Sequence, residues 1–443
     1  MEKRKLKISP QLFIIITFVV TILCGTLCLI MPFATTNGHG LSFIDALFIA
    51  TSATCVTGLS PIVCGTELTL FGQIILAILI EIGGLSFLSV ISFIFIVLGR
   101  KMDINQRFLL KEQLNLDSIR GIVKVVKRII LLSLSIQLIG AFIFFFIFRF
   151  SHNFPVGTSI KLSLFQAVSA FNNAGFDLFK EGTSMIPYRN DVILSIVTMI
   201  LIIIGGLGFV AINDIFKKRN WRRLTLNTKV VLVMTVLLIF GGAILFKIFM
   251  WNDLSFMDAL FSSVTARTAG FATIDMSMLN MPSYILMIFL MFIGASPCST
   301  GGGFKTTTFF VLVLTLLANI NGTTPHAFSR KITRIQMQKA CSLFTLEIIY
   351  LISAILGVSI AENIAGNGIG LGSIVFEVVS AFATVGLSQG ITASLCIGSK
   401  IIIIITMFIG RLGPLTMVTV WLNRKTLMVE NDIKYVEGKI MIG

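Results

Sequence analysis

Four short runs in this chain end in glycine. They read Thr54-Cys55-Val56-Thr57-Gly58, Asn172-Asn173-Ala174-Gly175, Arg267-Thr268-Ala269-Gly270 and Ala383-Thr384-Val385-Gly386. Their side chains differ and the glycine persists, a pattern suited to chemistry performed by the backbone. A cation that crosses lipid must exchange its water shell for equivalent oxygens, and backbone carbonyls from several segments can supply them. Such segments turn through φ/ψ regions closed to branched residues, which glycine permits. The expected ligands are the carbonyls of Cys55, Val56, Thr57 and Gly58; of Asn172, Asn173, Ala174 and Gly175; of Arg267, Thr268, Ala269 and Gly270; and of Ala383, Thr384, Val385 and Gly386. A single run of this kind in a membrane helix is ordinary packing or a kink. Four in matching contexts point to a pore on a pseudo-fourfold axis. The residues alone do not separate potassium from sodium.

Other residues bear on passage through such a pore. A marker recurs after each loop at Ile82-Gly83-Gly84, Ile204-Gly205-Gly206, Ile293-Gly294-Ala295 and Ile409-Gly410-Arg411. Three tiny residues and Arg411 therefore share one level below the loops. A charge at that depth is costly unless it faces water or a partner. Arg411 reads as an electrostatic barrier in an inner cavity, or else as half of a buried ion pair. The run Gly294, Ala295, Ser296, Pro297, Cys298, Ser299, Thr300, Gly301, Gly302, Gly303, Phe304, Lys305 must break its helix, and irregular chain at membrane depth lines a cavity or is buried in protein. It reads as a gate across the pore or as a packed kink. Arg267 is expected to brace the third loop against an acidic group. Asp177 and Glu181 would concentrate cations at the outer mouth or stand as solvated charges, and Asp45 and Asp258 would cap short helices.

These residues need elements to position them. Each loop follows a short apolar segment, near 43–54, 160–171, 255–266 and 372–383, and precedes a long one. About a dozen residues cannot cross a hydrocarbon core of about 30 Å, so the short segments read as re-entrant half-helices. Their caps are expected at Ser42 and Asp45, at Ser159, at Asn252 and Asp253 through Ser255, and at Gly372 with Ser373. FIDALF at 43–48 returns as FMDALF at 256–261, and AVSAF at 167–171 returns as VVSAF at 378–382, as internal duplication predicts. The expected fold is an all-α polytopic membrane protein of four units around one pore. The units are 1–100, 101–220 with a cytoplasmic linker, 221–320 with a broken second helix, and 321–421. A tail follows at 422–443.

Composition agrees. The chain of 443 residues is 56% hydrophobic and 12% charged, too little polar surface for a soluble protein of this length. Its net charge of +15 is not spread as nucleic-acid binding requires. With the amino terminus inside and eight spans threaded, 26 of the 35 Lys and Arg residues fall on the cytoplasmic side, which places both termini there. That cationic face is suited to anionic membrane lipid or an acidic partner surface. Seven cysteines and three histidines show no metal-ligand spacing. No Walker lysine and no dinucleotide fingerprint in a βαβ context is present, so the residues support neither catalysis nor nucleotide hydrolysis, and no cofactor is expected on this chain.

TCVTGL, FNNAGFD, TARTAGF and FATVGLS, together with ASPCSTGGGFKTTT and IGRLGP at 409–414, resemble the membrane subunit of Ktr potassium uptake systems. These belong to the Trk, Ktr and HKT cation transporter superfamily. The likeness covers nearly the whole chain, which starts directly with the first unit, as in Ktr rather than Trk. It implies four M1–P–M2 repeats whose re-entrant pore helices surround one pore, with Gly58, Gly175, Gly270 and Gly386 in the selectivity filter. Some plant relatives carry serine at the first position and favour sodium, so Gly58 implies potassium as the substrate ion. The likeness makes 294–305 an intramembrane gating loop and Arg411 the arginine beneath the filter. It further implies a plasma-membrane homodimer, a cytoplasmic ring of RCK-type regulatory subunits that carries ATP or ADP, and stimulation by sodium at unassigned residues. The tail 422–443 would be available to the dimer contact. Rival readings are a sodium channel on the same scaffold, a secondary transporter, which would call for inverted repeats, and a scaffold without transport, which leaves four loops unexplained.

Overall fold

The computed structural model describes residues 10–85, 121–179 and 182–413, with a few isolated positions between 89 and 111. Glu181, nearly all of the linker 101–120 and the tail 422–443 lie outside the described residues. The described chain is helical apart from one small hairpin, His326–Ala327 with Arg330–Lys331. The helices are α1 (Pro10–Ile30), α2 (Phe43–Cys55), α3 (Leu70–Leu85), α4 (Ile122–Phe146), α5 (Val156–Phe171), α6 (Val192–Leu207), α7 (Phe209–Lys218), α8 (Leu226–Phe249), α9 (Phe256–Thr265), α10 (Met281–Phe292), α11 (Thr306–Ile320), α12 (Arg334–Ala365), α13 (Leu371–Phe382) and α14 (Ile397–Leu412), with a single helical turn at Cys64–Glu67 between α2 and α3.

Hydropathy and length sort these helices. Four described stretches are long and apolar enough to cross a membrane: Leu12–Ile30, Ile122–Ser151, Leu226–Phe249 and Arg334–Ala365. Each is the first helix of one sequence unit. The short helices α2, α5, α9 and α13 follow them. The 13 residues of α2 reach about 20 Å at 1.5 Å per residue, less than the hydrocarbon core. From Phe48 to Cys55 every residue of α2 is buried. The carboxyl-terminal parts of α5, α9 and α13 are mostly buried as well, while their first turns keep exposed apolar residues such as Val156, Phe256 and Leu371.

Capping set the starts of two short helices as expected. Ser42 Oγ accepts from the Asp45 amide at 3.2 Å and Ser255 Oγ accepts from the Asp258 amide at 3.1 Å. The other two differ. α5 begins at Val156 behind Pro155, so Ser159 lies inside the helix and its hydroxyl donates to the Phe154 carbonyl at 3.2 Å. α13 begins at Leu371 after an extended Gly370, ahead of the expected Gly372 and Ser373. Proline and an extended glycine end the preceding chain without needing a side-chain cap.

Packing joins the units in a cycle. Each short helix packs against the first helix of its own unit, as α1 with α2, α4 with α5, α8 with α9 and α12 with α13. The second helix of each unit packs against the next unit's short helix: α3 with α5, α6 with α9, α10 with α13, and α14 back onto α2. The second helices are less regular. α6 and α7 meet at Gly208 with a bend of 93°, and the third unit is interrupted between α10 and α11 as its glycines predict.

Candidate functional site

The four loops repeat one backbone conformation. The residue two before each glycine is left-handed, with φ of 57° at Val56, 57° at Asn173, 66° at Thr268 and 52° at Thr384. The glycines follow at 98°, 71°, 79° and 92°. Branched side chains in that region are strained, so the surroundings must hold the turn. A hydroxyl from each short helix does so. Ser52 Oγ accepts from the Gly58 amide at 3.0 Å and Ser380 Oγ from the Gly386 amide at 3.1 Å. Ser169 Oγ donates to the Phe176 carbonyl and Thr265 Oγ1 to the Phe271 carbonyl, both at 2.6 Å. The sequence reading missed these braces. Their signal was a hydroxyl five or six residues before each glycine.

The loops meet one another in chain order. A methyl group built on Gly58 would overlap the Ala174 carbonyl oxygen. One on Gly175 would lie 2.9 Å from the Ala269 oxygen, and one on Gly270 would lie 2.5 Å from the Val385 oxygen. One on Gly386 would overlap the Thr57 oxygen, which closes the ring. Glycine is thus required twice, for its φ and for the approach of the neighbouring loop. The carbonyls of Thr57, Ala174, Ala269 and Val385, and of the four glycines, accept no hydrogen bond among the described residues. Buried carbonyls are normally paired, so the four bare ones of Thr57, Ala174, Ala269 and Val385, set where the loops meet, are candidates for a ligand.

One side of the ring opens into a vestibule of about 470 Å³ lined by all four glycines and by Glu67, Asp177 and Asp275. Asp177 lies outside the spanning helices. Burial pushes its carboxyl up to about 6 against the pull of the Phe179 amide. Asp45 and Asp258 are not the caps expected: Ser42 and Ser255 are, and the two carboxylates accept from those hydroxyls and form ion pairs between units. Asp45 pairs with Lys400 and Asp258 with Arg189, each at 2.7 Å, which ties the first unit to the fourth and the second to the third. Behind the fourth loop the buried Glu377 accepts from Thr392 Oγ1 at 2.5 Å.

The opposite side of the ring is crossed by residues 294–305. Thr300 Oγ1 donates to Asn173 Oδ1 at 3.3 Å, and the Gly302 amide donates to Thr384 Oγ1 at 2.9 Å. A methyl group on Gly301 would overlap Thr268 Oγ1. The left-handed residues of three loops therefore touch this segment. Lys305 Nζ closes it by donating to the carbonyls of Gly301 at 2.8 Å and Gly302 at 3.1 Å. At its far edge the Cys298 carbonyl accepts from the Phe209 amide at 2.9 Å. Arg411 completes the arrangement. Its guanidinium donates to the carbonyls of Thr300 and Gly83, linking the segment to α3. No carboxylate pairs with Arg411 among the described residues.

Arg267 departs from expectation. It is buried, and Nη2 donates to Thr235 Oγ1 at 3.3 Å, so a hydroxyl on α8 takes the place of the expected acid. Its carbonyl accepts from Asn173 Nδ2 at 3.4 Å and is turned to the neighbouring loop. Asn172 in turn donates from Nδ2 to Glu81 Oε2 at 2.7 Å, and Gln137 Nε2 donates to the same carboxylate at 3.1 Å. The sequence reading missed Glu81, although a lone acid inside an apolar span is itself a signal.

A profile of the TrkH cation transport protein family matches residues 3–425. The chain is 39% identical to the potassium/sodium uptake protein NtpJ of Enterococcus hirae, over 100% of this chain and 99% of that protein. It is 36% identical to the Ktr system potassium uptake protein B of Bacillus subtilis, over 99% and 97%. The solved potassium transporter TrkH of Vibrio parahaemolyticus superposes with a TM-score of 0.73 at 20% identity, covering 96% of this chain and 87% of that one.

Proposed function

The chain belongs to the TrkH family of cation transport proteins, among Ktr-type uptake subunits, and from there we propose that it admits potassium through the ring of Gly58, Gly175, Gly270 and Gly386. It is a multi-pass membrane transport protein and not an enzyme. The observation that carries the pore reading is the closed cycle of four loops, with the carbonyls of Thr57, Ala174, Ala269 and Val385 at its junctions and without hydrogen-bond partners among the described residues. Rings of backbone carbonyls can replace an ion's hydration shell. The four short helices end at the loops, so their carboxyl-terminal dipoles also favour a cation there. Each unit then acts as an M1–P–M2 repeat with α2, α5, α9 and α13 as pore helices. The membrane potential drives entry, worth about 2.3 kcal/mol per charge per 100 mV.

The same reading makes 294–305 and Arg411 the gate. Their contacts with three loops and with α3 support a barred pathway below the ring. Both termini are cytoplasmic on the positive-inside rule. Two copies form a homodimer, and a cytoplasmic RCK-type ring that binds ATP or ADP controls the gate. Glycine at position 58 favours potassium over sodium.

Flux into proteoliposomes tests this, with potassium and sodium compared for the wild-type chain and Gly58→Asp. Potassium flux should exceed sodium flux and vanish in the variant, because the side chain has no space beside Ala174. Sodium flux equal to potassium flux would refute the selectivity. Potassium flux retained in a monodisperse variant would refute the filter.

A further inference from the structure

The bend of 93° at Gly208 turns α7 away from the direction of α6. The helix carries Lys217 and Lys218 in its last turn, with Arg219 beyond, in the cluster that the positive-inside rule assigns to the cytoplasmic face. Phe216 and Trp221 are exposed beside them, as aromatic anchors at a membrane interface are. Between α7 and the start of α4 lies a groove of about 410 Å³. Ile129, Leu132 and Phe216 give it an apolar wall, while Arg128, Lys217 and Arg219 give it a cationic rim.

The acid balance of the groove is one-sided. Asp214 is the only acid on α7, and it is committed elsewhere. It pairs with Lys218 at 2.7 Å and accepts from the Thr225 amide and from Thr228 Oγ1, both at 2.9 Å. Arg128 Nη1 donates to Asn213 Oδ1 at 3.0 Å, which holds the guanidinium at the groove. No carboxylate lines the groove among the described residues.

We propose that this groove binds an anionic phospholipid of the cytoplasmic leaflet. The phosphate sits among Arg128, Lys217 and Arg219, and an acyl chain lies along Ile129, Leu132 and Phe216. Guanidinium forks match phosphate oxygens, and basic residues at the inner surface draw anionic headgroups. A soluble phosphate would satisfy the rim and leave the apolar wall bare. Phe209 lines the same groove, and its amide holds the Cys298 carbonyl of the 294–305 segment. A lipid seated against α7 therefore bears on that segment, a consequence that rests on its role as the gate. The binding does not.

Native mass spectrometry of the full-length chain in detergent tests the proposal, with phosphatidylglycerol and phosphatidylcholine as probes. The wild-type chain should retain phosphatidylglycerol at least tenfold more tightly than phosphatidylcholine. The double variant R128Q/K217Q should lose that preference, while R128K/K217R should keep at least part of it. Unchanged preference in R128Q/K217Q overturns the site, as does displacement of phosphatidylglycerol by millimolar inorganic phosphate. Flux in liposomes with and without phosphatidylglycerol tests the link to the gate. Lipid dependence that persists in R128Q/K217Q overturns that link. Binding is read without ion movement, so a failure of the transport reading leaves this measurement intact.

Discussion

Replacing Arg411 with glutamine should open the pathway. In the wild-type chain its guanidinium donates to two backbone carbonyls, that of Thr300 in the crossing segment and that of Gly83 on α3. Hydrogen bonds from charged donors contribute about 1.5–3 kcal/mol each, so the pair holds the segment by about 3 kcal/mol or more. Burial of the guanidinium opposes part of this gain. A net loss of about 1.4–2.8 kcal/mol shifts a barred-to-open equilibrium by about tenfold to a hundredfold. Removing the positive charge from the path of a cation acts in the same direction. The glutamine side chain is shorter than arginine and uncharged, and spans the two carbonyls poorly. The assay is rubidium uptake into potassium-loaded proteoliposomes without a regulatory partner. Uptake should rise by at least tenfold in R411Q and by less in R411K, which keeps the charge. Uptake equal to wild type in a monodisperse R411Q preparation would refute both the tether and the barrier.

Three further outcomes follow from the same geometry. The Asp177 carboxyl is pushed up to about 6, above its unperturbed 3.8, so its charged form appears as pH rises through about 6. Uptake should therefore increase between external pH 5 and 7 and level off above, and Asp177→Asn should flatten that profile; a wild-type profile in the variant would exclude the residue. The sign for stability is the reverse, because this raised carboxyl favours the folded chain as pH falls towards 6 and below. Ser380→Ala removes the brace on the Gly386 amide, worth about 1 kcal/mol, and should lower potassium-over-sodium selectivity roughly fivefold with little loss of folded protein. Ser52→Ala should behave alike at Gly58, and unchanged selectivity in both would show that the hydroxyls merely pack.

Local signals carried the positions of the loops. Glycine at 58, 175, 270 and 386 answers a backbone demand for positive φ that any solution of this fold must meet. The apolar first helices and the break at 294–303 were legible for the same reason, since hydropathy and helix interruption are properties of a few consecutive residues. Capping was legible at Ser42 and Ser255, where a hydroxyl stands before the helix, and not at Pro155 or Gly370, where the chain turns without one.

What neighbours what was decided only in three dimensions. The partner of Arg267 became Thr235 because α8 presents a hydroxyl there, and no local rule ranks it above a distant acid. Asp45 and Lys400 stand 355 positions apart, and their ion pair exists because α14 returns to α2. Arg411 reaches carbonyls 111 and 328 positions away. Its type announced that something at membrane depth must receive its charge. Closure of the cycle of helices determined that the receivers are the Thr300 carbonyl of the crossing segment and the Gly83 carbonyl of α3. Local composition fixes what a residue needs, whereas the path of the whole chain fixes what lies within reach to supply it.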